Sequence, residues 1–159
     1  MDAFAEAGET RAVFALLAGA RQARTDPVAA ERAVKQALAM APEDFSARLA
    51  AYKFYFYNHR LAEALPHAAF LVGLLVRRLN VAGDWRAVKP GDAAFDELEE
   101  APSLYLQALL AWGYCQARLG QRAEGAQAIA KVAELERRDR FGARRLLAVV
   151  AEPGPSEED

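Results

Sequence analysis

The sequence has a single cysteine, no strong excess of either charge and no long apolar run. Cys115 is the only cysteine in 159 residues, so an intramolecular disulfide is impossible and we expect a reducing compartment. The formal net charge of -2 disfavours a general nucleic-acid binder, which usually carries a strongly basic face. The longest uncharged apolar run, Ala68 to Val76, is far shorter than the about 20 residues that span a bilayer. We therefore expect a cytoplasmic protein with neither a membrane nor a nucleic-acid partner.

Motifs for targeting, catalysis and cofactor binding are also lacking. The first residues are acidic, without the basic start and apolar core of a signal peptide. There is no Walker loop, no dinucleotide fingerprint, no GxSxG elbow and no CxxC pair. His59 and His67 are the only histidines, and they are not at the i, i+4 spacing of a helical metal site. We expect Cys115 to be a small core residue, so the sequence predicts a non-catalytic protein without cofactor or metal.

The residues that are abundant favour helices arranged as repeating pairs. Ala, Leu, Glu and Arg are common, and apolar residues recur at helical spacing. Predicted helices run from near Ala3 to Arg24 and from Pro27, capped by Asp26, to about Met40. The packing positions of this pair fit a 34-residue helix-turn-helix repeat, and they are Phe14, Leu17, Ala18, Ala30, Val34, Ala37 and Pro42.

Two further copies follow when the same spacing is carried along the chain. The predicted repeats lie near 11–44, 45–78 and 106–139, in a single domain covering residues 1–151. Asn58-His59-Arg60 is the predicted turn of the second repeat, and Pro66 is expected within about the first turn of the helix that follows. An insertion, 79–105, separates the second and third repeats, and a capping helix is expected at 140–151. The acidic tail, 152–159, has a composition typical of disorder.

These positions make the chain resemble the tetratricopeptide repeat family, with about three repeats and a C-terminal capping helix. The resemblance implies an all-α fold in which the helix pairs form a short right-handed superhelix. It departs from the family pattern at Arg48, where a large apolar residue is usual, and at Gly125, where a small residue such as Ala is usual. In this family the first helices of successive repeats line a concave groove that binds a peptide.

The resemblance also implies which residues would line the groove. Residue by residue, the groove positions are Ala15, Gly19, Gln22 and Ala23, then Leu49, Lys53, Phe56 and Tyr57, then Leu110, Tyr114, Ala117 and Arg118. The implied groove is apolar and aromatic with two cations. It would bind a protein or peptide partner, and the protein would act as an adaptor or assembly chaperone.

The segment from Tyr52 to Tyr57 contains five aromatic residues in six positions, which point all around a helix. We expect Tyr52, Phe54 and Tyr55 to pack against neighbouring helices. Phe56 and Tyr57 are then candidates for contact with a partner. An alternative function is a self-associating structural protein whose aromatic patch is a homodimer interface.

Two other features have both structural and functional interpretations. Trp85 is expected to pin the insertion to the body of the protein, although a partner contact is the alternative. The arginines from Arg137 to Arg145 form either a solvated helix face or a surface for an anionic partner, including the chain's own acidic tail.

Overall fold

The computed structural model describes residues 25–151, and these residues form six α-helices and two 3₁₀ turns with no β-strand. The helices are α1 (Pro27–Met40), α2 (Phe45–Tyr57), α3 (Leu61–Leu79), α4 (Glu100–Arg118), α5 (Arg122–Leu135) and α6 (Ala143–Ala151). The 3₁₀ turns lie between α3 and α4, at Trp85–Ala87 and Pro90–Asp92. The predicted all-α class is confirmed. The predicted first helix and the acidic tail lie outside the described residues.

The chain divides into two compact units, Met1–His67 and Ala68–Asp159, with the boundary inside α3. Unit 1 therefore contains α1, α2 and the first turns of α3. Unit 2 contains the rest of α3 together with α4, α5 and α6. Among the described helices, none is long and apolar enough to cross a membrane.

In unit 1, aspartate side chains cap both α1 and α2. The carboxylate of Asp26 accepts a hydrogen bond from the backbone nitrogen of Ala29 at 3.2 Å, with Pro27 at the first helical position. Asp44 accepts from the backbone nitrogen of Ala47 at 2.9 Å. Each cap satisfies a backbone N–H group that has no partner inside its helix. The start of α1 at Pro27 and its end at Met40 agree with the sequence prediction.

Small side chains let α1 and α2 approach closely. Ala37 of α1 and Ala47 of α2 are both fully buried in one cluster. Leu38, Ala41 and Ala50 pack around that cluster. Because alanine projects only a methyl group, the two helices can pack closely with little unfilled space.

The turn between α2 and α3 lies at Asn58-His59-Arg60, as predicted. His59 has a φ of 59°, and the backbone nitrogen of Arg60 donates to the carbonyl of Tyr55 at 2.8 Å. This left-handed residue and the backward hydrogen bond are typical of a helix C-terminus. Pro66 is the sixth residue of α3, beyond the predicted first turn. Its ring nitrogen cannot donate to the carbonyl of the preceding turn.

In unit 2, the segment before α4 is shorter than the predicted insertion. α4 begins at Glu100, so the helical part of the chain starts six residues before the predicted position 106. Pro102 lies in the first turn of α4, where a missing N–H group costs little. The rest of the segment contains the two 3₁₀ turns.

Glycines allow a close contact between α4 and α5 in unit 2. A Cβ atom placed on Gly125 would collide with the carbonyl oxygen of Gly113 and would lie 2.6 Å from the backbone nitrogen of Ala117. No side chain fits at those distances. Gly125, a departure from the family pattern in the sequence, therefore sets how closely α5 approaches α4.

α6 packs on α5 and α4, and it begins at Ala143 rather than at the predicted residue 140. The chain reverses before it, with a φ of 54° at Asp139 and 69° at Gly142. Glu136, only 2% exposed, stabilises this reversal by accepting hydrogen bonds from the backbone nitrogens of Arg138 at 2.8 Å and Arg140 at 2.7 Å. Positive φ angles are incompatible with a helix, so the helix starts later.

We predict that Gly125→Ala lowers the free energy of unfolding by about 1 to 3 kcal/mol, because the added methyl group overpacks the helix contact. The matched control is Gly73→Ala in α3, where an added Cβ meets nothing within 4 Å. Removing a helical glycine there should stabilise the protein by about 1 kcal/mol. Urea denaturation followed by circular dichroism measures both changes, and equal shifts for the two variants would contradict the close glycine contact.

Candidate interaction surfaces

The aromatic segment of α2 has a buried side and an exposed side. Tyr52 and Tyr55 are buried, at 6% and 4% exposure, which confirms the expectation that they pack inward. Phe54 is half-buried and meets the ring of Tyr55 edge-on at 5.1 Å. Tyr57 is 69% exposed, and Phe56 is half-buried. The segment therefore divides its aromatic residues between the core and the surface.

Four predicted site residues lie along one stripe of α2, because they are spaced about one helical turn apart. They are Leu49, Lys53, Phe56 and Tyr57, and we call them the α2 stripe. Leu49 is half-buried and Lys53 is exposed. The rings of Phe56 and Tyr57 meet edge-on with their centroids 5.6 Å apart. The stripe presents an aromatic pair next to a cation.

The three predicted site residues of unit 2 lie on one stripe of α4, with Leu110 and Tyr114 half-buried and Arg118 exposed. The Nε atom of Arg118 donates to the hydroxyl of Tyr114 at 3.3 Å, and its guanidinium lies 5.3 Å from the centre of that ring. Tyr114 thus holds the cation predicted to meet a partner.

Ala117 does not belong on that exposed stripe. It is only 6% exposed, and a Cβ atom on Gly125 would lie 2.8 Å from its methyl carbon. Ala117 therefore faces α5, and its predicted groove position is wrong. The candidate positions Ala15, Gly19, Gln22 and Ala23 lie outside the described residues.

A charged network that sequence reasoning missed orients α2. Glu31 of α1 accepts hydrogen bonds from the Arg60 guanidinium at 2.7 and 3.0 Å and from the Tyr55 hydroxyl at 2.9 Å. Arg60 also contacts Glu63 with two hydrogen bonds of 2.7 Å. The network joins α1, α2 and the start of α3. Because successive helical residues are about 100° apart, Tyr57 points away from the side on which Tyr55 is anchored.

The network shifts the pKa values of its members. Hydrogen bonds from Arg60 and Tyr55 lower the pKa of Glu31 to about 2. Burial and the hydrogen bond to Glu31 raise the pKa of Tyr55 to about 12. The same contacts raise the pKa of Arg60. All three groups therefore keep their ordinary charge states across the physiological range.

Arg48 and His67 form a second contact that holds α2 against α3. His67 stacks on the ring of Tyr55 at 5.8 Å with an interplanar angle of 9°. An Nη atom of Arg48 lies 3.3 Å from Nδ1 of His67, and its Nε donates to the carbonyl of Pro42 at 2.6 Å. Burial and the Arg48 charge lower the pKa of His67. Arg48 thus makes polar contacts at a position where tetratricopeptide repeats usually have a large apolar residue.

In unit 2, Trp85 anchors the segment between α3 and α4, as predicted. It is 9% exposed, and its ring meets that of Trp112 edge-on at 6.0 Å. Arg86 lies 4.2 Å over the Trp85 ring, and Lys131 donates to the carbonyl of Val88 at 2.9 Å. A shallow pocket of about 400 Å³ lies beside these residues, lined by Trp85, Arg86, Gln127, Ala130, Lys131 and Glu134.

A reactive thiol and clusters of metal-ligating side chains are common in catalytic sites. Cys115 is fully buried, and burial raises the pKa of its thiol to about 11. Its thiolate, the nucleophilic form, is therefore scarce at neutral pH. Within residues 25–151, no three His, Cys, Asp or Glu side chains are placed to hold a metal ion.

The described part of the chain is an all-helical protein whose distinctive surface features are exposed aromatic and charged side chains. Over 125 residues the chain is 37% identical to the "Uncharacterized 19.8 kDa protein in nifW 5'region" of Azotobacter chroococcum mcd 1. The matched segment covers 77% of this chain and 70% of that protein. The chain therefore belongs to the same family as that protein. No protein-family model matches the chain, and no solved structure does.

We predict that the Glu31 network makes stability depend on pH in the acid range. The pKa of Glu31 in the folded protein, about 2, lies below its unfolded value of 4.5, so the unfolded chain binds the proton more readily. The contribution is complete above about pH 4.5 and is lost as the pH falls towards 2. Glu31→Gln should remove this part of the pH dependence and cost about 1 kcal/mol at neutral pH.

Thermal melting between pH 2 and pH 7 tests the network, with Glu43→Gln as the matched control. Glu43 is exposed at the end of the loop before α2 and is not part of the network. The control variant should follow the wild-type profile. If Glu31→Gln also followed it, Glu31 would not be the group that links α1 to α2.

Proposed function

We propose that the protein is a non-catalytic adaptor or assembly chaperone that binds a protein or peptide partner along the α2 stripe. The observation that supports the proposal is the 69% exposure of Tyr57 beside Phe56, while Tyr52 and Tyr55 of the same helix are buried. Aromatic side chains offer large contact area with few rotatable bonds, so they often dominate binding energy. The sharp division within one segment favours a surface used for contact.

The stripe also indicates the chemistry of the partner. Lys53 lies one helical turn before Tyr57 and is exposed. A partner segment with an apolar side chain beside a carboxylate would fit this stripe. Its apolar side chain would pack on Phe56 and Tyr57, and its carboxylate would pair with Lys53. Leu110, Tyr114 and Arg118 on α4 likewise place an aromatic ring beside a cation, and we propose that they bind a segment of the same kind.

We further propose that the helices are arranged as in tetratricopeptide repeats. Helix pairs joined by short turns support this proposal: α2 and α3 flank residues 58–60, and α4 and α5 flank residues 119–121. Gly113, in the contact between α4 and α5, lies at a position where the tetratricopeptide pattern has glycine. In tetratricopeptide repeats the first helix of each pair carries binding residues, and α2 and α4 are each the first helix of their own pair.

The name of the Azotobacter relative supplies a first candidate partner. That name places the relative in the region 5' of nifW. Products of neighbouring genes often act together, so the nifW product of that organism is the first protein to test for binding to this chain. Proteins retained from a lysate of the native host extend the search to partners encoded elsewhere.

We predict that Tyr57→Ala weakens partner binding about tenfold or more while leaving helicity unchanged, because the side chain is mostly exposed in the free protein. Affinity capture with wild type and variant, followed by mass spectrometry and titration of the retained protein, provides the measurement. The double variant Phe56→Ala/Tyr57→Ala should reduce binding further. Val28→Ala is the matched control, since Val28 is 68% exposed on α1.

Two results would contradict this function. A partner that binds wild type and Tyr57→Ala equally would place the binding surface elsewhere. If wild type retains only itself and Tyr57→Ala lowers its mass in solution, the aromatic patch is a homodimer interface, which is the alternative function.

A further inference from the structure

The exposed side of α6 combines cations with apolar side chains. Ala143 and Val150 of α6 are buried against the rest of unit 2. The opposite side of the helix carries four exposed residues, Arg144, Arg145, Ala148 and Val149. We call these four residues the α6 outer face. Val149 is 47% exposed. Two cations in the first turn of a helix oppose the helix dipole, so they do not serve the stability of α6.

A second surface of unit 2 has the complementary chemistry. The segment from Glu97 to Glu99 carries an exposed leucine between two exposed carboxylates, and we call it the acidic segment. Leu98 is 84% exposed, the most exposed of the large apolar residues in the described chain. Within residues 25–151, neither these two glutamates nor Arg144 and Arg145 form an ion pair.

The two surfaces are neighbours on unit 2. Asp96, next to the acidic segment, accepts a hydrogen bond from the backbone nitrogen of Arg137 at 2.9 Å. An Nη atom of Arg140 donates to the carbonyl of Phe95 at 2.7 Å. The base of the acidic segment is thus bonded to the chain that leads into α6. Complementary surfaces that are close together can be exchanged by two copies around a two-fold axis.

We propose that two copies of this chain form a symmetric dimer in which the acidic segment of each copy docks on the α6 outer face of the other. Leu98 packs on Ala148 and Val149, and the flanking glutamates pair with Arg144 and Arg145. Arg144 and Arg145 lie four residues before Ala148 and Val149, one helical turn away, so a segment that seats Leu98 on the apolar pair brings its carboxylates within reach of the arginines. This interface uses none of the residues of the α2 stripe and does not depend on the proposed function.

Charge reversal on each side of the contact tests the proposal. Sedimentation equilibrium at low salt should give wild type a mass approaching two 17.4 kDa chains as concentration rises. Glu97→Lys/Glu99→Lys and Arg144→Glu/Arg145→Glu should each weaken the dimer about tenfold or more, because like charges then face each other. An equimolar mixture of the two variants should restore dimerisation. Added salt should weaken the wild-type dimer.

Two further variants separate the proposal from misfolding and from general charge effects. Leu98→Ser changes a side chain that is 84% exposed, so it should keep the fold and weaken the dimer roughly tenfold through lost apolar contact. Arg32→Glu/Arg77→Glu makes the same charge change at exposed positions of α1 and α3 and should leave the dimer intact. Circular dichroism confirms the helical content of each protein.

The proposal is overturned if wild type stays monomeric at every concentration. It is also overturned if the control variant weakens the dimer as much as the arginine variant does. If both charge reversals abolish the dimer but their mixture does not restore it, the two surfaces do not meet. Loss of the dimer on changing Arg144 and Arg145 but not Glu97 and Glu99 would assign the α6 outer face to another anionic segment, such as the chain's acidic tail.

Discussion

The carboxylate of Glu31 receives hydrogen bonds from Arg60 and Tyr55 and lies 3.3 Å from the ammonium of Lys35, and the arrangement of unit 1 depends on these contacts. Glu31 is on α1, Tyr55 on α2 and Arg60 at the start of α3, so one acidic group connects three elements. Charge-assisted hydrogen bonds are directional. The bidentate contact of Arg60 with Glu31 therefore restricts the relative rotation of the two side chains as well as their distance. With Tyr55 held inward, the rotation of α2 about its axis is set, and Tyr57 remains at the surface.

Unit 2 depends on a different constraint, the absence of side chains where α4 meets α5. Gly113 and Gly125 allow backbone atoms of the two helices to approach within distances that no Cβ atom tolerates. The buried carboxylate of Glu136 then ties the end of α5 to the reversal before α6. Together these features place α6 on the helix pair, with its arginines outward. The proposed dimer uses that exposed side, and the proposed partner surface is on α2, so assembly and partner binding would not compete for the same residues.

Features that depend on residues close together in the chain could be predicted from the sequence. The all-α class, the start of α1 at Pro27 and the turn at residues 58–60 all follow from helical periodicity, capping side chains and breaks in the pattern. Such signals are local because each reflects hydrogen bonding within about four residues. The burial of Tyr52 and Tyr55 and the anchoring role of Trp85 were also predictable, because large aromatic residues gain most from contact with a core.

Which groups distant in sequence meet depends on how the helices fold against one another. Nothing in the local pattern pairs Glu31 with Arg60 or Arg48 with His67, and nothing marks Ala117 as facing α5. The later start of α6 depends on Glu136 and on positive φ angles that periodicity does not reveal. These contacts depend on how the helices pack, because rotating a helix by one residue, about 100°, brings different side chains to the core. The physical reason is that local sequence sets the conformation of each helix, whereas burial and long-range hydrogen bonds set its rotation and its neighbours.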